Sequence, residues 1–314
     1  LQREPPDRPQ VRGAAGIRFT QGEGGVCGSY VGSVAAGLVP ARAAGDVERG
    51  AYLVRAGGCV ACHTDLKGKG PEFAGGHALA TPYGTFYSPN ITPDKETGIG
   101  KWSDQDFIQA MREGVSPDGD HYFPTFPYPT YTKMRKPDML AIKAYLFTRK
   151  PIRRENKDHD VGPPFGWRFL MGPWKVMNFI EGEFKPDPSK SARWNRGAYL
   201  VDAVAHCGEC HTPRNESGAM SISMYMAGTN KGPEDKPVPN ITPDLETGIG
   251  KWDAIDIAHL MKTGFKPDYD NVQGTMEEAV EYGLKYMTDD DLMAMAEYLT
   301  TIPAIKNLIA KPKK

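Results

Sequence analysis

The chain has 314 residues, which at roughly 100–200 residues per domain suggests about two domains. Hydrophobic residues make up 39% and charged residues 25%, which excludes a disordered or fibrous protein. The net charge is −1, with 38 Lys and Arg against 39 Asp and Glu and no basic block, so the footprint of a nucleic-acid binder is absent.

At the amino end, Arg12 and Arg18, the small apolar run from Val31 to Val39 and Ala41-Arg42-Ala43 read as an export leader over residues 1–43. The alternative is an unstructured extension or a misassigned start; Cys27 falls inside this stretch. No run approaches the roughly 18 apolar residues of a membrane span, which predicts a soluble mature chain without a transmembrane segment. A helix is expected from Asp46 or Val47 to Ala56, with Tyr52 and Leu53 on one buried face. Thr81–Pro93 is too rich in Pro, Gly and Tyr for helix. Ser103 with Asp106 reads as a capping box, and Pro137 opens a helix through Tyr145 and Phe147. A further helix is expected at about Trp194–Val204, and Thr288 with Asp291 reads as a second capping box. No strand alternation is sustained, so the predicted fold class is all-α, with short helices packed around something other than each other.

An internal repeat organises the chain. Asn90-Ile-Thr-Pro-Asp-Lys-Glu-Thr-Gly-Ile-Gly-Lys-Trp102 recurs as Asn240-Ile-Thr-Pro-Asp-Leu-Glu-Thr-Gly-Ile-Gly-Lys-Trp252, identical at 12 of 13 positions with an offset of 150. Arg49–Val54 matches Arg196–Val201, Cys59–His63 matches Cys207–His211, and Ala144-Tyr145-Leu146 matches Glu297-Tyr298-Leu299. The expected organisation is a domain over 44–155, an aromatic and Pro-rich connection over 156–190, a second domain over 191–304 and a polar tail over 305–314.

Four of the five cysteines form Cys59-Val-Ala-Cys62-His63 and Cys207-Gly-Glu-Cys210-His211. C-x-x-C-H is the attachment pattern of a c-type haem. Two thiols on one helical turn reach the two vinyl groups of a porphyrin edge, and the next residue can give its imidazole to the iron. A thioredoxin-type pair lacks its βαβ context, and a zinc site would want its Cys pairs roughly 15–20 residues apart, against 148 here. A structural disulphide leaves both histidines unexplained. Two covalently attached haem c groups are therefore predicted, one per repeat.

The sixth iron position is commonly held by Met. In repeat 2, Met276 is favoured, with Met287 as its rival. In repeat 1 the offset of 150 puts Phe126 opposite Met276, and Phe cannot bind iron; Met134 is favoured there, with His121 as the alternative, while Met111 and Met139 read as helix-core residues. Tyr83, Phe86, Trp102 and Trp252 are expected to wall the haem crevices or simply to pack in the core. Asn90 and Asn240 are expected to hydrogen-bond the distal loops or to end turns. Phe165–Trp174 is expected to cover a domain surface or the seam between the haems, and His77, His159, His206 and His259 to be surface or packing residues.

The two C-x-x-C-H motifs, the duplicated Asn-Ile-Thr-Pro-Asp segments, Phe126-Pro127-Tyr128 through Met134, and His206–Asn215 together resemble the dihaem class I cytochromes c. That group is related to the cytochrome subunits of periplasmic alcohol, gluconate and other membrane-associated dehydrogenases. The resemblance spans about residues 46–303. It implies two tandem helical domains, each wrapped around one haem, with His63 and His211 as proximal and Met134 and Met276 as distal ligands. It also implies an exported, periplasmic electron carrier, soluble or peripherally associated with a membrane complex. A dehydrogenase would be its electron donor, and a small cytochrome, a copper protein or a terminal oxidase its acceptor. The alternative is a dihaem enzyme, such as a thiosulfate dehydrogenase with a Cys distal ligand or a peroxidase with an open haem; no Cys outside the motifs remains after residue 43.

Overall fold

The protein is described by a computed structural model over residues 41–310, with side chains from Asp46 onward. The expected leader and Cys27 lie outside the described residues, except that residues 41–43 enter the first helix.

Repeat 1 contains α1 (Ala41–Ala56), α2 (Cys59–Cys62), strands β1 (Ala78–Thr81) and β2 (Gly84–Tyr87), α3 (Asp104–Glu113), α4 (Tyr128–Tyr131) and α5 (Lys136–Leu146). A connection carrying α6 (Met171–Asn178) leads to repeat 2, with α7 (Ala192–Tyr199), α8 (Gly208–His211), α9 (Ala254–Thr263), α10 (Thr275–Tyr282) and α11 (Asp289–Leu299). The fold is mostly helical, and the hairpin corrects the purely α expectation. Its strands pair antiparallel from Ala78 opposite Tyr87 to Thr81 opposite Gly84. Four-residue strands are too short to show an alternating pattern.

Several helix boundaries follow from local chemistry. Ser103 and Asp106 form the expected capping box at α3, and Asp253 with Asp256 forms an equivalent one at α9. Thr288 caps α11, but the Asp291 carboxylate turns away to Arg196 and Tyr52 instead of closing the box. Between α7 and the second motif the chain makes a π turn over Leu200–Val204. Arg49 and Tyr52 correspond to Arg196 and Tyr199 at an offset of 147, whereas Cys59 corresponds to Cys207 at 148. Repeat 2 therefore holds one extra residue, and the widened turn absorbs it without unwinding the helix.

In each repeat the first helix crosses the last at very close range. A Cβ on Gly50 would lie 1.9 Å from the Ala141 carbonyl oxygen, and one on Gly197 would lie 1.9 Å from that of Ala294. Glycine is required here for the approach of one backbone to another. Around these crossings a single hydrophobic core runs through both repeats, from Leu53 and Val54 to Leu200, Val201 and Met295.

The repeats exchange a reciprocal pair of polar contacts. Arg49 Nε donates to Asp138 Oδ1 (2.6 Å) within repeat 1, and the Tyr199 hydroxyl of repeat 2 donates to the same carboxylate. Arg196 donates to Asp291 through Nε (2.8 Å) and a terminal nitrogen (2.7 Å), and the Tyr52 hydroxyl of repeat 1 completes that site. Asp138 is 1% exposed, so its charge is compensated inside the protein rather than by water.

The connection lies across repeat 1. Lys175 donates to the carbonyls of Glu113 (2.6 Å) and Gly114 (2.9 Å), capping the end of α3, while Trp174 donates to the Ser217 carbonyl of repeat 2 (2.7 Å). Within the stretch expected to cover a surface or seam, Trp174 is buried and Phe165, Trp167 and Phe169 are exposed. The residues expected as a polar tail instead begin docked on repeat 2: Ile305 accepts from Asn240 (2.8 Å), and Ala310 donates to Asn230 (2.7 Å).

The crossings and the carboxylates each lead to a measurable effect. Gly50→Ala or Gly197→Ala should destabilise the fold by about 1–3 kcal/mol through overpacking, measured by chemical denaturation; a change near zero would mean the helices can separate freely. Burial opposes ionisation of Asp291, but Arg196 and Tyr52 outweigh it and hold its carboxyl below the usual range. Its contribution to stability is therefore present above the unfolded carboxylate pKa and is lost as pH falls through the lower folded value. The stability gap between the parent protein and Asp291→Asn should be full at neutral pH and close in strong acid.

Candidate haem sites

Each motif begins where the first helix of its repeat ends. Gly58, in the left-handed region at φ 67°, turns the chain from α1 into α2. In repeat 2 His206 occupies this conformation with φ 44°, which is uncommon for a residue with a side chain. Its ring lies within 3.3 Å of the Gly57 carbonyl through Nε2 and meets Tyr131 edge-on at 5.4 Å, so contacts with the other repeat support the strained backbone. His206 is thus a packing residue, as expected.

All four motif cysteines are half-buried and none forms a disulphide. Burial pushes Cys59 and Cys207 up to about 12, and Cys62 and Cys210 up to about 11. Among the described residues no cluster of three or more His, Cys, Asp or Glu could hold a bare metal ion.

The two motif histidines have one environment. Nδ1 of His63 lies 2.8 Å from the Pro89 carbonyl oxygen, and Nδ1 of His211 lies 2.8 Å from that of Pro239. A carbonyl can only accept, so Nδ1 carries the proton and Nε2 keeps its lone pair. Burial lowers both imidazole pKa values against the pull of those carbonyls, which favours the neutral, ligating form. This donor set fits a porphyrin: two thiols for the vinyl groups and an oriented imidazole for the iron.

The duplicated Asn-Ile-Thr-Pro-Asp segments place those carbonyls. Asn90 is 2% exposed; it donates to the Ile152 carbonyl (2.7 Å) and accepts from the amide (2.9 Å) and hydroxyl (2.7 Å) of Thr92. Asn240 repeats the pattern with Ile305 (2.8 Å) and Thr242 (2.9 and 2.7 Å). These side chains close turns and anchor the end of each repeat, and the partners described are not in the distal loops.

Met134 is 1% exposed and precedes α5 with one residue between; its carbonyl accepts from Arg112 (3.1 Å). Met287 is 1% exposed and immediately precedes Thr288, the cap of α11; its carbonyl accepts from Lys262 (3.0 Å). Arg112 and Lys262 are equivalent, and so are Asp138 and Asp291. Met287 therefore stands where Met134 stands, at an offset of 153. Met276 instead sits in the first turn of α10, half-buried, with no such counterpart. The offset of 150 that pairs Met276 with Phe126 does not carry to the last helix: α10 has eight residues where α4 has four, and the lengthened segment shifts the register.

The other side chains singled out in the sequence lie away from this arrangement or beside it. His121 lies with Nδ1 2.9 Å from Lys175 Nζ, engaged by the connection. Met111 and Met139 are core residues of α3 and α5. Tyr83 packs on Phe165 (4.8 Å), and Phe86 on Phe123 (5.3 Å) and His159 (5.1 Å). Trp102 and Trp252 flank the main core. His77 is half-buried and His259 exposed.

Sequence comparison decides the family. The cytochrome c profile matches residues 47–150, which is repeat 1. A diheme cytochrome c-type protein of Cereibacter sphaeroides is 39% identical over 271 residues, 83% of this chain and 88% of that one. The chain belongs to the cytochrome c family. The fructose dehydrogenase cytochrome subunit of Gluconobacter japonicus is 41% identical, covering 82% of this chain and 53% of its own length. The gluconate 2-dehydrogenase cytochrome c subunit of Pantoea cypripedii is 39% identical over 82% of this chain and 60% of its own length. This cytochrome thus spans only about half to three fifths of those two dehydrogenase subunits. Family membership implies covalently bound haem c.

If Asn90 anchors the Pro89 carbonyl, Asn90→Ala should cost about 1–3 kcal/mol, because the Ile152 carbonyl and Thr92 lose a buried partner. Equilibrium unfolding of the haem-loaded protein measures this, and an unchanged midpoint would mean that the turn holds without the side chain.

Proposed function

We infer that this chain is a dihaem electron-transfer protein, with one haem c attached at Cys59 and Cys62 and a second at Cys207 and Cys210. His63 and His211 would be the proximal ligands, and Met134 and Met287 the distal ones. The observation that carries this is the equivalence of the two sites: the same His to Pro carbonyl bond, and a buried Met before the last helix of each repeat with its carbonyl held by a cation. A haem bound at each site supplies a one-electron couple, and a thioether ligand raises its potential.

The chain's own groups hold that couple in place. The Pro89 and Pro239 carbonyls orient the imidazoles, and burial keeps them neutral. Arg112 and Lys262 restrain the backbone of the methionines. With a histidine and a methionine held for each haem, neither iron would offer an open site to substrate, which supports electron transfer over catalysis. The motif cysteines are the only ones among the described residues, so no thiolate there offers a Cys distal ligand.

The dehydrogenase subunits among the relatives support a dehydrogenase as electron donor, with a small cytochrome, a copper protein or an oxidase as acceptor. The outer side of the connection exposes Phe169, Val176, Met177 and Ile180, an apolar surface of the kind that partners cover. Among the described residues no helix is long and apolar enough to cross a membrane. An exported, periplasmic location fits covalent haem attachment and those relatives.

The far-red charge-transfer band of Met-ligated ferric haem tests the assignment, scaled to two haems per chain. Met134→Ala and Met287→Ala should each remove about half of its intensity, and Met276→Ala should leave it intact. Loss of the band on Met276→Ala, with Met287→Ala silent, would overturn the assignment in repeat 2.

A further inference from the structure

The peptide group after each buried methionine is gripped from two sides. Its carbonyl, that of Met134 or Met287, accepts from a cation of the same repeat, Arg112 (3.1 Å) or Lys262 (3.0 Å). Its amide N–H, that of Arg135 or Thr288, donates to a tyrosine of the opposite repeat, Tyr199 (3.2 Å) or Tyr52 (3.4 Å). Each phenol uses both of its functions: the oxygen accepts from this amide while the proton goes to Asp138 or Asp291. Arg49 and Arg196 lock those carboxylates. Tyr199 is 2% exposed, and its ring also carries the Arg135 guanidinium at 4.4 Å. Burial and the Asp138 hydrogen bond push this phenol up to about 12, so it keeps its proton at neutral pH.

We propose that Tyr52 and Tyr199 are positioning residues that act across the repeats, each holding the opposite repeat's methionine in place as an iron ligand. This rests on the assignment of Met134 and Met287 as ligands. The direction of a methionine side chain is set by its own backbone, and the hydroxyl fixes the amide one bond beyond the methionine carbonyl. A tyrosine that merely fills the interface would, on losing its hydroxyl, weaken the whole fold without choosing a site. A positioning tyrosine loosens one ligand, and that ligand belongs to the other repeat.

The test uses the full haem-loaded chain. In a Met287→Ala background the surviving far-red band reports the Met134 site alone, and imidazole is titrated to displace that methionine. Adding Tyr199→Phe should lower the imidazole concentration at half-loss about 2- to 12-fold, the equivalent of one hydrogen bond. Adding Tyr52→Phe in that background should leave it unchanged. The Met134→Ala background should show the reverse, with Tyr52→Phe acting and Tyr199→Phe silent. Equal effects of both tyrosines, an effect confined to the tyrosine's own repeat, or no effect while the melting temperature falls would each overturn the proposal. If the two Met→Ala variants leave the band intact, the ligand assignment itself fails. If they halve it and the tyrosine variants do nothing, only the cross-repeat role fails.

Discussion

The structure depends on the contact between the first and last helices of each repeat, where Gly50 lies against Ala141 and Gly197 against Ala294. The first helix runs directly into the C-x-x-C-H turn, and the last begins just after the buried methionine. One close crossing therefore fixes the positions of the motif and of the buried methionine at once. A side chain at either glycine would push these two ends apart, whatever it did to the rest of the core. The same crossing brings Arg49 to Asp138 and Arg196 to Asp291, so the start of each last helix is tied by charge as well as by packing.

The two halves share their machinery and differ in its accessories. Repeat 1 carries the β hairpin, and at the matching position repeat 2 has the isolated bridge between Thr229 and Val238. The connection also favours repeat 1: Gly182 and Phe184 donate to Thr132 (3.1 Å) and Lys133 (2.9 Å), immediately before Met134. At the seam, Glu209 inside the second motif accepts from Thr130 of repeat 1 and from Arg214 (2.6 Å). Identical chemistry is thus held in unequal surroundings, and the charge and exposure around a haem are what separate the potentials of otherwise similar groups.

Much of this was legible in the residues. The C-x-x-C-H motifs, the first and last helices of each repeat and the Ser103 cap are local signals, set by chemistry within a few positions. The close crossing of those helices is a long-range contact, and it overturns the expectation of helices packed around something other than each other. The repeat 2 counterpart of Met134 was not legible from a constant spacing, because insertions move the register between landmarks. The offset is 147 at Tyr52, 148 at Cys59, 150 at Asn90 and 153 at Tyr145. The signal that points to Met287 was the match of Ala144-Tyr145-Leu146 with Glu297-Tyr298-Leu299, which carries the offset of the last helix back to the residue before it. The role of Asp291 was hidden for another reason. Its place in the first turn satisfies a capping pattern, and only the neighbouring repeat reveals that its carboxylate serves Arg196 and Tyr52.

That diversion explains how the interface accommodates buried charge. Asp138 and Asp291 each sit at the start of a helix, where the backbone dipole favours an anion. Each also meets an arginine from its own repeat and a phenol from the other, so its oxygens are occupied by donors. Neither repeat supplies the full set alone. A separated repeat would leave one carboxylate short of its phenol and one phenol short of its carboxylate, with the amide after its methionine no longer held. The polar contacts across the seam therefore act in the same direction as the shared hydrophobic core, and they bind the two sites into one cooperative unit rather than two tethered ones.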